Sequence, residues 1–345
     1  MATPDQVLSA LANVIDPELR RPVTELGMVR GVDVDGGRVA VTIALTVVGC
    51  PLRSSFEDQV SRHVGSLPGV ESVELRFDVM SPDERAALTT RLRGGVEQRG
   101  IQLEPTTRVV AVASGKGGVG KSSLTVNLAA ALAASGKEVG ILDADIYGHS
   151  VPHMLGISQR PVVVDKLIVP PVAHDLRLMS IGFFLDDNQP VMWRGPMLHR
   201  ALEQFLQDVH WGELDVLVVD MPPGTGDVSI SLGQLLPRAE AVVVTTPQPL
   251  AQEVAARAAT MAQKTGMRVV GVVENMTSDI FGSGGGERLA TELGVPLLGS
   301  VPLDPELRRA CDEGRPHVTP EIAAIADAID RSRAGGFTRT LPLVS

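Results

Sequence analysis

A chain that places Gly115-Lys116-Gly117-Gly118-Val119-Gly120-Lys121-Ser122 directly after an apolar run at 109–113, and before a helix-forming stretch at 124–134, has few folds open to it. The octet is a G-x-x-x-x-G-K-S phosphate loop, which belongs between a strand and the helix it feeds. Backbone N–H groups must crowd around β- and γ-phosphates, and Gly117, Gly118 and Gly120 permit this by having no side chain. Lys121 supplies positive charge, Ser122 offers a hydroxyl to Mg2+, and the helix directs the positive end of its dipole at the anion. Gly115, Val119 and Ser123 complete the nucleotide-contacting stretch.

Downstream, 138–143, 215–220, 241–246 and 268–273 are short β-branched runs separated by helical or loop segments, the pattern of buried parallel strands. With 108–114 they predict an α/β fold: a doubly wound, mostly parallel sheet with the nucleotide at the carboxyl ends of its strands. Upstream, a helix over 3–13, a β-rich run over 38–47, an amphipathic helix over 51–67 and an alternating strand over 70–79 predict a small α/β domain. The expected organisation is a small domain at 1–80, a linker at 81–107 marked by charged residues, Gly94-Gly95 and Pro105, and a P-loop domain at 108–345. Residues 320–345 read as a peripheral tail.

The net charge of −10 offers no general basic field for nucleic acid or anionic lipid. No apolar run reaches the roughly 18 residues of a membrane span, and residues 1–11 lack the basic and apolar regions of a signal peptide. The expectation is a cytoplasmic protein without membrane or nucleic-acid partners. Two cysteines, Cys50 and Cys311, rule out a disulfide framework or a zinc ribbon.

Asp220 closes the apolar run 214–219, where a strand-end carboxylate of the Walker B kind holds Mg2+. Met221-Pro222-Pro223-Gly224-Thr225-Gly226-Asp227 follows as a loop able to sense the γ-phosphate, with Asp227 also readable as a helix cap. Asp143 and Asp145 end another strand, and alternation puts both side chains on one side of it. One of them could orient the attacking water, with Asp145 the stronger candidate; turn-forming aspartates are the other reading.

Lys116 with Lys121, Asp143-x-Asp145, Asp220-Met221-Pro222-Pro223-Gly224 and Glu274-Asn275-Met276 resemble the deviant Walker A ATPases, the group holding MinD, ParA and the nitrogenase iron protein. The resemblance implies a nucleotide-sandwich homodimer in which Lys116 reaches the partner subunit's phosphates and stabilises transition-state charge, as an arginine finger does elsewhere. It also implies that Asn275 and Pro302 flank adenine. A narrower resemblance, to the Mrp/ApbC-type iron–sulfur cluster carriers, covers nearly the whole chain. It rests on Trp193-Arg194-Gly195-Pro196-Met197, Pro222 through Asp227, Thr246-Pro247-Gln248 and Pro302-Leu303-Asp304-Pro305-Glu306. The amino-terminal Asp16-Pro17-Glu18, Leu26-Gly27-Met28-Val29 and Gly49-Cys50-Pro51 resemble a small SufT-like domain associated with cluster assembly. Together these imply an ATP- and Mg2+-dependent homodimer that transfers clusters to apoprotein clients and works with cluster-assembly proteins.

The chain departs from that family in one telling place. Related carriers have a Cys-x-x-Cys pair after the segment matching Glu274-Asn275-Met276, whereas this chain continues Thr277-Ser278-Asp279-Ile280-Phe281. A cluster takes about four thiolates, and a dimer using Cys50 alone offers two. A second departure is His149, where related proteins tend to have proline. Cys50 has two readings: a cluster ligand whose thiol pKa is lowered at the start of a helix opened by Pro51, or a small buried hydrophobe. Cys311 shares the helical face of Leu307 and Ala310 and reads as core. Two alternatives keep the nucleotide site without the cargo: a nucleotide-gated scaffold, and a positioning ATPase of the MinD/ParA class. The second needs a basic amphipathic tail, yet Ile322-Ala323-Ala324-Ile325 lies among Glu321, Asp327 and Asp330. Arg331, Arg333 and Arg339 are the tail's basic residues.

Overall fold

The computed structural model describes residues 2–46, 53–93, 103–145, 148–184, 195–236 and 238–332. Cys50 and the Trp193-Arg194 dipeptide lie outside the described residues. The chain divides into two compact units, one made of Met1–Gln102 with Arg160–Val172 and Leu206–Gly212, the other of the remainder.

In the first unit, β1 (Val29–Asp35) pairs antiparallel with β2 (Arg38–Leu45), which pairs in parallel with β3 (Ser72–Val79). Helices α1 (Pro4–Leu11) and α2 (Arg53–His63) bring Val7, Leu11, Phe56 and Val60 into a core with Ile43 and Leu45. The stretch expected to be a linker begins instead as α3 (Pro82–Leu92). Its cause is legible: Ser81 and Glu84 form a reciprocal capping box, Pro82 stands in the first turn, and Leu88 is fully buried. Thr89 Oγ1 also donates to Val164 O at 3.1 Å. That carbonyl belongs to a two-stranded excursion, β6 (Val162–Val164) and β7 (Leu167–Val169), which lends Val164 and Val169 to the same core.

The second unit is built on an eight-stranded sheet. Its members are β4 (Arg108–Ser114), β5 (Val139–Asp143), β8 (Val172–Ala173), β9 (Leu176–Ser180), β10 (Val216–Asp220), β11 (Glu240–Thr245), β12 (Arg268–Thr277) and β13 (Leu297–Pro302). The spatial order is β13-β12-β11-β4-β10-β5-β9-β8, and every pair from β13 to β9 is parallel. Strands with both faces buried, such as Val216–Asp220, are covered by helices on both sides, which is why they carry continuous apolar residues rather than alternation. One face is packed by α4 (Lys121–Ala134), α5 (Val151–Met154) and α11 (Pro320–Arg331). The other is packed by α7 (Asp227–Leu235), α8 (Pro249–Lys264) and α9 (Gly285–Leu293). Helix α6 (Gly195–Gln207) precedes β10, and α10 (Pro305–Asp312) follows β13. The expected peripheral tail is corrected by α11: Ile322, Ile325, Ala326 and Ile329 stand at helical spacing and are all buried in the main core.

Because β4 sits centrally and its sheet neighbours β10 and β11 both come later in the chain, the loops at the carboxyl ends of these strands open at a topological switch point, where α/β sheets bind ligands.

Candidate nucleotide site

The phosphate loop runs from the end of β4 to the start of α4. Gly120 has φ +78°, and a Cβ there would lie 2.3 Å from Asn275 Nδ2, so glycine is required for both conformation and space. Gly115 passes so close to α8 that a Cβ would meet the Val254 carbonyl carbon at 2.1 Å. The two lysines part company at this point. Lys116 is exposed, while Lys121 is buried beneath the loop.

Asp220 is the hub. It is fully buried, and burying an unpaired carboxylate costs far more than burying a paired one. Lys121 Nζ lies 2.6 Å from Oδ1, Ser122 Oγ donates to Oδ2 at 2.6 Å, and Thr125 Oγ1 donates to Oδ1 at 2.8 Å. Charge and lone pairs are thus both met, as a retained buried carboxylate requires. Ser122 and Asp220 present adjacent hard oxygen donors, the chemistry magnesium takes, so the residues fit the metal.

Asp145 and Asp143 have different surroundings. Asp145 Oδ2 lies 3.5 Å from Lys121 Nζ and its Oδ1 accepts from Gly148 N at 3.1 Å, which puts it beside the loop. Asp143 accepts from Ser180 Oγ at 2.8 Å and from Asp145 N at 3.2 Å. Burial, followed by the negative charge of Asp220, pushes the Asp143 carboxyl up to about 8. Its contacts are those of a residue that shapes the Asp145 turn.

The loop after β10 is tied to the phosphate loop's root, with Gly224 N donating to Ser114 O at 2.8 Å. Asn275 Nδ2 donates to Val119 O at 2.8 Å, and strand pairing sets Asn275 beside Val301 and Thr277 beside Pro302, which is exposed. Ser123 Oγ faces Met154 Sδ at 4.0 Å. Cys311 is buried, with Asn127 Nδ2 donating to its sulfur at 3.7 Å, and burial pushes its thiol above the ordinary range. Core packing is the role these contacts give it. Among the described residues, no group of three or more His, Cys, Asp or Glu side chains is placed to hold a metal ion.

Two members of the site escaped the sequence reading. Thr125 is one helical turn beyond Lys121, so the i, i+4 rule could have found it. Ser180 lies at the end of β9, a strand whose Arg177 breaks the apolar run.

Comparison with known proteins places the chain in a family. Residues 105–332 match the family described as NUBPL iron-transfer P-loop NTPase, and residues 4–75 match a family described as iron-sulfur cluster assembly protein. The iron-sulfur cluster carrier protein of Mycobacterium leprae is 53% identical over 331 residues, spanning 90% of this chain and 86% of the relative. The protein of that name from Synechocystis is 44% identical, with 94% of each chain covered. Among solved structures, an Archaeoglobus fulgidus nucleotide-binding protein in complex with ADP is 37% identical with a TM-score of 0.56, over 63% of this chain and 90% of that one. The Pyrococcus horikoshii septum site-determining protein MinD complexed with Mg-ADP shares the fold, with 22% identity and a TM-score of 0.52 over 66% of this chain and 98% of that one. With a nucleotide-binding P-loop fold and matches over most of its length, the chain belongs to the family of iron-transfer P-loop NTPases that includes the iron-sulfur cluster carrier proteins.

Proposed function

We propose that this protein is an ATP-hydrolysing carrier that binds iron–sulfur clusters and transfers them to apoproteins as a nucleotide-gated homodimer. The observation that carries the ATPase half is the Lys121–Asp220–Ser122 constellation at the root of the phosphate loop. The carrier half is supported by relatives named iron-sulfur cluster carrier proteins, 53% and 44% identical over most of the chain.

In this reading the loop's backbone N–H groups and Lys121 grip the β- and γ-phosphates, so that positioning and charge do most of the work. Ser122 and Asp220 would hold magnesium, which when bound supplies charge neutralisation across the phosphate oxygens. Asp145, held by Gly148 N, orients the attacking water. Asn275 and Pro302 flank the base, and Lys116 acts on the partner subunit's phosphates. An exposed lysine on the loop suits a role in trans. Lys116→Ala is therefore expected to lower ATP turnover by on the order of 1,000-fold, as loss of a charge-stabilising finger does, while nucleotide affinity stays near wild type. Specific activity of the wild type should rise with protein concentration as dimers form. Full turnover in Lys116→Ala removes the cross-subunit role.

A second reading, a nucleotide-gated scaffold that holds no cluster, is favoured by one specific feature: no cysteine occurs between Met276 and the start of α9. Anaerobic reconstitution with iron and sulfide separates the two. Wild type is expected to retain iron with visible absorbance, and Cys50→Ser to lose most of both while still hydrolysing ATP. If neither protein holds iron and both hydrolyse ATP, the scaffold stands and the carrier falls.

A further inference from the structure

Glu274 and Asn275 are consecutive at the end of β12, so their side chains leave the strand in opposite directions. Asn275 reaches the phosphate loop, donating from Nδ2 to Val119 O at 2.8 Å and abutting Gly120. Glu274 points to α9. Its Oε1 accepts from Gly285 N at 2.6 Å and Gly286 N at 3.0 Å, and its Oε2 from Gly284 N at 3.1 Å and Ser300 Oγ at 3.3 Å. Glu274 is 1% exposed. It supplies α9 with the cap that Gly284, having no side chain, cannot give, and it meets the positive end of the helix dipole.

The next residue shows why such an anchor matters. Met276 has φ +62°, a left-handed conformation that a residue with a Cβ pays for, and at this point the register of β12 against β13 slips by one residue. Backbone strain of this kind persists only where its surroundings over-determine it. Glu274 does so from one side by tying β12 to both α9 and β13, and the Asn275 contact with the loop does so from the other. Two glycines at the start of α9 permit this close approach: a Cβ on Gly286 would lie 2.5 Å from Glu274 Cβ, and one on Gly285 2.4 Å from Gln252 Nε2.

We propose that Glu274 is a positioning residue for nucleotide binding: by locking the β12–α9 junction it holds Asn275 on the Val119 carbonyl and presets the phosphate loop. The proposal rests on the reading of that loop as the ATP site and names a residue through which its shape is maintained. Glutamine at this position keeps the size but turns an amide N–H2 toward backbone donors, so the anchor loosens without a cavity.

The test is a double-mutant cycle on ATP affinity, read with a fluorescent ATP analogue well below the melting temperature of each variant. Glu274→Gln is expected to weaken binding about tenfold, the scale of one lost hydrogen bond to a charged group, and Asn275→Ala by a similar factor. The double variant should be no weaker than Asn275→Ala alone, because Glu274 acts on the nucleotide only through Asn275. In steady-state turnover Glu274→Gln should raise KM with kcat near wild type, as loss of uniform binding does. Should Glu274→Gln not fold, Ser300→Ala loosens the same carboxylate more gently and is expected to weaken binding about threefold. Wild-type affinity in the folded variants, or fully additive losses, overturns the proposal and leaves Glu274 a helix cap alone. Failure of the wild type itself to bind the analogue would instead sink the ATP reading.

Discussion

Asp220→Asn is expected to lower magnesium-dependent ATP turnover by about 100- to 1,000-fold, the scale lost when one preorganised charge-stabilising group is removed. The fold should survive. Asparagine is isosteric and keeps an acceptor oxygen for the Ser122 or Thr125 hydroxyl, and Lys121 retains Asp145 at 3.5 Å. What disappears is the negative charge that draws Lys121 to 2.6 Å and would draw a divalent cation to the same carboxylate. Two binding measurements isolate these effects. With EDTA present, ADP should bind the variant as well as wild type or better, because Lys121 no longer shares its charge with Asp220. With magnesium added, wild type should tighten and the variant should not. An equal magnesium response in both proteins would mean that the metal is held elsewhere and that Asp220 serves only to seat the lysine.

The central strands and the loop were legible because their signals are local. A run such as 216–219 buried on both faces has no polar residue to confuse it, and a G-x-x-x-x-G-K-S octet between strand and helix has one structural context. Three strands that a linear reading misses are compromised ones. β1 carries Arg30, Gly31, Asp33 and Asp35 among its valines, β9 is interrupted by Arg177, and β13 contains Gly299 and ends on Pro302. Their assignment comes from pairing with neighbours, which a linear reading does not contain. The stretch expected as a linker differs in kind, since Ser81-Pro82-Asp83-Glu84 is a helix start in plain view, whereas Gly94-Gly95 and Pro105 further on are what suggest a tether. The excursion β6–β7 could not have been placed by any local signal: its contact with α3 joins Thr89 to Val164, 75 residues apart. At the site, the family pattern named Asn275 for the base, whereas its contact with Val119 O belongs to folded geometry.

The largest expected stability loss lies at the opposite end of the sheet, where the sequence offered only a strand-leading arginine and a tail. Arg108, 8% exposed, donates from Nε to Glu240 Oε2 at 2.6 Å, from Nη1 to Ile329 O at 2.6 Å and from Nη2 to Ser332 Oγ at 2.8 Å. One planar guanidinium therefore binds β4 to β11 and closes the C-terminus of α11, where unmet carbonyls favour a cation. Arg108→Met should cost about 3 kcal/mol, the low end for breaking a buried ion pair, because Glu240 keeps its contact with Arg268. In a unit of this size that corresponds to a fall in Tm of about 6–12 °C by calorimetry. Arg108→Lys should recover only part of the loss, since one ammonium cannot span Glu240 and the helix end together. Arg268→Ala, whose side chain is 59% exposed, should change stability by less than about 1 kcal/mol. Adding Glu240→Leu to Arg108→Met separates the two sources of the loss. Recovery of most of the stability assigns it to the stranded carboxylate, whereas no recovery assigns it to the undocking of α11, and a melting temperature unchanged in Arg108→Met would remove the arginine from the framework that holds the nucleotide site's sheet together.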